Sequence, residues 1–174
     1  MTAEPLVLDA SAAIALVRGE PAGAGVLADL RSQVEAGGEI LVPELFWLEL
    51  LDILVRRYRW SADAVVRAVA ALDAFEPVVV AQDRPAVLLA LDAALAHGLT
   101  VYDAAYLAVA QLEGARLLSL DAALVAATTS GPHRSGEERA VYGEHAARPD
   151  WRAHGRYLAE LRSAAMAPVA GASQ

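Results

Sequence analysis

The sequence predicts an α/β domain built around a parallel sheet. Three observations carry that expectation. Short apolar runs alternate with longer Ala- and Leu-rich stretches along the chain. Glycine, proline, serine and threonine punctuate the boundaries between them. The composition is 56% hydrophobic but only 6% aromatic, which suits many small helices packed over a few Val-containing buried strands.

The elements follow in order. Leu6-Val7-Leu8 is an apolar run ending at Asp9 and reads as a buried strand. Ser11 stands as a helix N-cap for Ala12 to Val17. Pro21 to Glu35 reads as a helix stopped by Gly37-Gly38. Ile40 to Val42 is a second strand, after which Pro43 suits an early helical position in a helix reaching about Tyr58. Ser61 opens a helix to about Phe75, with Asp63 in its first turn. Pro77 to Val80 is a third strand. Arg84 to His97 is helical and stops at Gly98; His97 there reads as a contact to the helix C-terminus. Thr100 caps a helix from Val101 to about Leu112, Ala115 to Ser119 is a fourth strand, and Asp121 to about Thr128 is a short helix.

The composition then changes. The sequence divides into a domain over 1–127 and an extension over 128–174. In the extension Ser130-Gly131-Pro132 and Gly136-Glu137-Glu138-Arg139 read as loop, Ala140 to Tyr142 as an edge strand, Asp150 to Met166 as a helix, and Pro168 to Gln174 as a frayed tail.

Much chemistry is excluded by what is missing. The 174 residues contain no cysteine, so disulfides, thiol nucleophiles and Cys-based metal sites are absent. They contain no lysine either; all 14 cationic side chains are arginine. That removes the P-loop lysine and Schiff-base chemistry. The formal net charge of −8 has the wrong sign for a protein that coats nucleic acid. It is compatible with a nuclease that gathers carboxylates around a cation and needs only a local arginine patch. No apolar stretch is long enough for a membrane span, and the N-terminus lacks the pattern of a secretory signal, so the expected location is the cytoplasm.

Four acids occupy telling positions. Asp9 ends the first strand and Asp121 follows the fourth. In parallel α/β sheets ligands collect at such strand ends. Glu49 lies among Phe46, Trp47, Leu48, Leu50 and Leu51, and Asp103 among Val101, Tyr102, Ala104, Ala105 and Tyr106. A carboxylate in apolar company needs a partner, and a hard cation such as Mg²⁺ prefers oxygen ligands. Each acid also has a plainer role: Asp9 and Asp121 as helix caps, Asp103 as a first-turn acid, Glu49 and Asp52 as helix partners of Arg56. The ordered set of four is what points to one site.

The segments Val7-Leu8-Asp9-Ala10-Ser11-Ala12, Val42-Pro43-Glu44-Leu45 through Glu49 to Asp52, Leu99 through Ala110, and Leu117-Leu118-Ser119-Leu120-Asp121 resemble PIN-domain nucleases, especially the VapC-like toxins of toxin–antitoxin pairs. The resemblance covers roughly residues 5 to 127. It implies a three-layer fold with a central parallel sheet of four or five strands flanked by helices. It implies that Asp9, Glu49, Asp103 and Asp121 are the catalytic acids, with Asp9, Asp103 and Asp121 holding Mg²⁺ or Mn²⁺. Ser11 and Ser119 then support the site, as does Asp52, which stands where the family often has Asn. The implied reaction is endoribonuclease cleavage leaving 5′-phosphate and 3′-hydroxyl ends. The implied partners are RNA, a cognate antitoxin and a second copy in a homodimer. The extension has no counterpart in the resemblance.

In chemical terms, carboxylate-held metal can activate water and stabilise both oxygens of the displacement without a nucleophilic side chain. Glu49 would act through water or orient the attacking water. Arg56, Arg57 and Arg59 form the dense basic cluster that RNA phosphates could meet. They also read as cations at a helix C-terminus, or as contacts for an acidic antitoxin segment. Three rival readings remain. One is a zinc site from His133, His145 and His154, which lie far apart for a local motif. A second is a PIN-like RNA- or protein-binding module without activity. A third is phosphoryl transfer to Asp9, for which the second acid and the lysine are missing.

Overall fold

The computed structural model describes residues 3–129. Four strands form one sheet: β1 (Leu6–Leu8), β2 (Ile40–Pro43), β3 (Val78–Val80) and β4 (Arg116–Leu118). All neighbouring pairs are parallel and the spatial order is β3-β2-β1-β4. Helices α1 (Ala10–Val17), α2 (Gly23–Glu35), α3 (Phe46–Asp52), α4 (Ala62–Asp73), α5 (Arg84–His97), α6 (Val101–Glu113) and α7 (Ala122–Thr129) flank it. The predicted α/β fold with a central parallel sheet is therefore the observed one. The expected edge strand at 140–142, the helix at 150–166 and the tail lie outside the described residues, as do His133, His145 and His154.

The order places a topological switch point between β1 and β4. From β1 the chain builds outward to β2 and β3, then returns to pair β4 on the other side of β1. The loops after β1 and β4 diverge there and leave a crevice at the strands' carboxyl ends. The backbone N–H of Asp9 donates to Leu118 O at 3.0 Å, carrying the β1–β4 ladder as far as the first acid.

Burial explains why this sheet holds. Leu6, Val7 and Leu8 are fully covered, as expected for a central strand with helices on both faces. In α6, Ala104 to Ala110 are all buried, and the small alanines let the helix lie across β1, β2 and β4. The chain turns by 114° between α5 and α6, and no single helix among the described residues is long and apolar enough to cross a membrane. Gly98 and Gly114 take the left-handed conformation that closes α5 and α6.

Three local expectations are corrected. Helix α1 begins at Ala10, so its cap is Asp9 rather than Ser11: the Asp9 carboxylate accepts the Ser11 N–H at 3.2 Å. Helix α2 begins at Gly23, not Pro21, after a turn through Gly19 with φ +65°. Pro43 is the last residue of β2, opposite Val80, and α3 starts three residues later. A proline lacks the N–H for a ladder bond and is tolerated where the ladder ends. Helix α3 also runs on into a π-helical turn, Ile53–Arg57, a feature without a simple periodic signature and often found at functional sites. Arg59, just past it, takes φ +57°, an uncommon conformation for a side chain with a Cβ.

Candidate functional site

The four predicted acids converge. Asp9, Glu49, Asp103 and Asp121 all line one cleft of about 280 Å³ at the carboxyl ends of β1 and β4. Ser11, Ile14, Glu20, Ile53, Arg57, Tyr58 and Leu120 complete its wall.

Asp9 is the most deeply placed, with only 4% of its surface exposed. Its Oδ2 accepts from the Ser11 N–H and Ser11 hydroxyl, and from the Ser119 hydroxyl at 2.7 Å. Burial pushes its carboxyl above the ordinary range, and the serine hydrogen bonds oppose that rise. Ser11 and Ser119 also tie the two loops together. The Leu120 N–H donates to Ser11 Oγ at 3.0 Å, and the Asp121 N–H donates to Ser119 Oγ at 3.0 Å. The two serines thus hold the post-β4 loop against the start of α1. Ser11 and Ser119, both expected beside the acids, are thus hydrogen-bonded to Asp9 and to the post-β4 loop.

Glu49 reaches the cleft from α3. Its Oε2 accepts the phenol of Tyr106 at 2.6 Å. Burial raises its carboxyl, the Tyr106 bond lowers it, and the negative charges of Asp9 and Asp103 raise it further. The acids therefore sense one another. Tyr106 is fully buried, and burial together with Glu49 drives its phenol far above its usual range, so it stays a donor. Asp103 is half-buried in the first turn of α6. Its Oδ2 accepts from the Thr100 hydroxyl at 2.6 Å while its N–H donates to Thr100 Oγ1 at 3.1 Å, a reciprocal cap. Asp121 caps α7: its Oδ1 accepts from the N–H groups of Ala123 and Leu124 at 2.8 and 2.9 Å. The plain capping roles are real for Asp9, Asp103 and Asp121. Each leaves further carboxylate lone pairs for a ligand.

The other predicted residues separate. Asp52 is exposed and pairs with Arg56 at 3.7 Å, so both stand outside the cleft wall. The row facing the cleft is Glu49, Ile53 and Arg57. The wider π turn brings the eighth residue, not the seventh, into line with Glu49. Arg57 alone of the predicted arginines lines the cleft; Arg59 does not.

The donor set is all oxygen and suits a hard divalent cation. Among the described residues Asp9 and Glu49 have no cationic partner, so two desolvated carboxylates face each other's charge. That is an arrangement a cation relieves. No three acids or histidines among the described residues stand close enough to grip one ion directly. A hydrated Mg²⁺ needs only one or two carboxylates and keeps several waters, so the fit is to an ion held partly through water.

Tyr106 was not among the expected site residues, although a signal existed. It falls three residues after Asp103, on the same helix face, within an alanine-rich run where a buried phenol must find a partner. Glu20 and Tyr58 carry no comparable pattern and enter the cleft through the α1–α2 turn and the end of the π turn.

The comparisons with known proteins agree with this fold. A family model described as PIN domain matches residues 6–128. Among solved structures, PAE2754 from Pyrobaculum aerophilum superposes with a TM-score of 0.54 at 25% identity, over 71% of this chain and 79% of that one. VapC20 of Mycobacterium tuberculosis, described as a sarcin–ricin-loop-cleaving toxin, superposes with a TM-score of 0.54 at 20% identity, over 70% of this chain and 94% of that one. No curated protein matches the chain.

Proposed function

The chain belongs to the PIN-domain family of nucleases, and from that premise we propose that it is a Mg²⁺- or Mn²⁺-dependent endoribonuclease, the toxin of a toxin–antitoxin pair. The observation that carries the reading is the convergence of Asp9, Glu49, Asp103 and Asp121 on one cleft at the switch point of the sheet.

In this reading Asp9, Asp103 and Asp121 hold the cation, in part through water. The bound cation supplies an activated water and charge stabilisation for the phosphodiester oxygens. Glu49, kept in place by Tyr106, orients the attacking water. Ser11 and Ser119 fix Asp9 and the post-β4 loop, so the carboxylates need not rearrange as the strand arrives. Arg57 meets the RNA backbone, offsetting a cleft whose acids otherwise repel phosphate. Asp52, Arg56 and Arg59 act at most at its edge.

Partners extend the reading. The named toxin among the structural neighbours supports an antitoxin partner. The exposed Val87, Leu91 and Leu95, spaced at four residues along α5, support a covered helix face such as a homodimer provides.

Incubating the purified chain with a broad single-stranded and structured RNA pool tests the proposal. Cleavage is expected with Mg²⁺ or Mn²⁺ and not with EDTA, with 5′-phosphate product ends. Persisting cleavage in EDTA would overturn the metal-dependent reading. Metal binding without cleavage of any RNA would favour a binding module.

A further inference from the structure

The cleft has a second wall that the acids do not explain. Arg18 is the C-cap residue of α1. Its guanidinium lies over the Tyr58 ring, 3.4 Å from the ring centroid, and its Nη1 donates to Glu20 Oε1. Tyr58 and Glu20 both line the acidic cleft, and so does Arg57, whose guanidinium lies 5.5 Å from the same ring. One tyrosine of the acidic cleft therefore gathers two guanidinium groups, Arg57 in the cleft wall and Arg18 against the ring.

We propose that Arg18 is a phosphate-binding cation for the RNA strand, held ready by the Tyr58 ring, and that Glu20 occupies it in the phosphate's place until the strand arrives. This rests on the ribonuclease reading above and names how that site takes hold of its substrate.

Three physical points favour it. A guanidinium presents a flat fork that matches a carboxylate and a phosphate alike, so Glu20 is a fair chemical stand-in for phosphate. The Arg18–Glu20 pair is partly solvent-exposed, at 28% and 39% of the two side chains, and such pairs contribute little to stability, so opening it costs little. The ring contact survives that opening: stacking on Tyr58 keeps the arginine plane in position while its N–H edges change partner. Arg57 then adds a second cation beside the same ring, on the wall of the cleft that the four acids also line.

The test is fluorescence anisotropy of a fluorescein-labelled, random-sequence single-stranded RNA pool with Mn²⁺. All variants are built on the Asp103→Asn background so that the probe stays intact, with cleavage of the same pool by the wild-type chain run alongside. Arg18→Ala is expected to raise the Kd about 3–10-fold, as the loss of one charge-assisted contact does. It should also lower the slope of log K against log salt by about 0.7, the value of one phosphate contact on a single strand. Arg18→Lys should recover part of both. Glu20→Gln should lower the Kd severalfold, since the internal competitor is gone, and it answers the question even if Arg18→Ala folds poorly. A merely structural arginine would shift the melting temperature without moving the salt slope. If wild type cleaves the pool while Arg18→Ala and Glu20→Gln bind as their parent does, this inference falls and the ribonuclease reading stands. If wild type does not cleave the pool and the Asp103→Asn parent does not bind it, both fall.

Discussion

The Tyr106 phenol donates to Glu49 Oε2 across 2.6 Å, joining α6 to α3 at the acidic cleft. The bond counters both the desolvation of Glu49 and the repulsion from Asp9 and Asp103. It also gives a fully buried hydroxyl the acceptor it requires.

Tyr106→Phe keeps the ring and removes only that donor. A hydrogen bond to a charged group contributes about 1.5–3 kcal/mol, so the variant should melt lower and cleave RNA more slowly at neutral pH. Thermal unfolding and cleavage rates on one preparation check this. Unchanged values in both would show that Glu49 does not depend on the phenol.

The raised carboxyls of Asp9 and Glu49 set the pH behaviour of the metal-free protein. Between the ordinary carboxylate pKa and their raised values, the folded chain binds more protons than the unfolded one. Their contribution to stability is therefore present at acidic pH and falls as pH rises through the raised values. Glu49→Gln, whose amide oxygen still accepts from Tyr106, should raise the metal-free melting temperature at neutral pH and flatten this dependence. Each 1 kcal/mol relieved appears as about 2–4 °C in a chain of this size. Melting curves in EDTA across pH test it, and a lower neutral-pH melting temperature for Glu49→Gln would contradict it.

Mn²⁺ acts in the opposite sense, because it binds the deprotonated acids. It should raise the melting temperature of wild type, more so as pH rises. Asp9→Asn should weaken that response. An identical Mn²⁺ shift in wild type and Asp9→Asn would remove Asp9 from the metal site.

Gly23 opens α2 directly against α1. A Cβ there would lie 2.5 Å from Ala15 O and 2.9 Å from Leu16 Cα, both backbone atoms. Gly23→Ala should destabilise by about 1–3 kcal/mol, the usual cost of overpacking. A neutral result in thermal unfolding would mean that the two helices separate freely.

Much of this was legible in the residues themselves. Period and punctuation located all four described strands, and the strand-end positions of Asp9 and Asp121 located the crevice. The capping serine and threonine of α4 and α6 were readable because Ser61 and Thr100 each stand directly before a helical pattern. At α1 the same rule chose Ser11 over Asp9, since both are good caps and only the backbone decides between them. That Arg57 rather than Asp52 or Arg56 faces the cleft was hidden for a different reason. An α-helical wheel assumes an even turn, and the π turn at Ile53–Arg57 shifts which residues face the cleft. The Arg18–Tyr58 contact joins residues 40 positions apart with no shared pattern, and only the folded chain brings them together.

The most direct test of the account is cleavage of one RNA pool by wild type and Asp103→Asn, purified identically and assayed with saturating Mn²⁺. Asparagine retains the oxygen that accepts from Thr100, so the cap and the metal-free fold should hold. The loss of one anionic ligand should lower the rate by about 100-fold or more. That fall, with the fold intact, is the predicted result; equal cleavage by the two proteins would contradict a catalytic centre built on these acids.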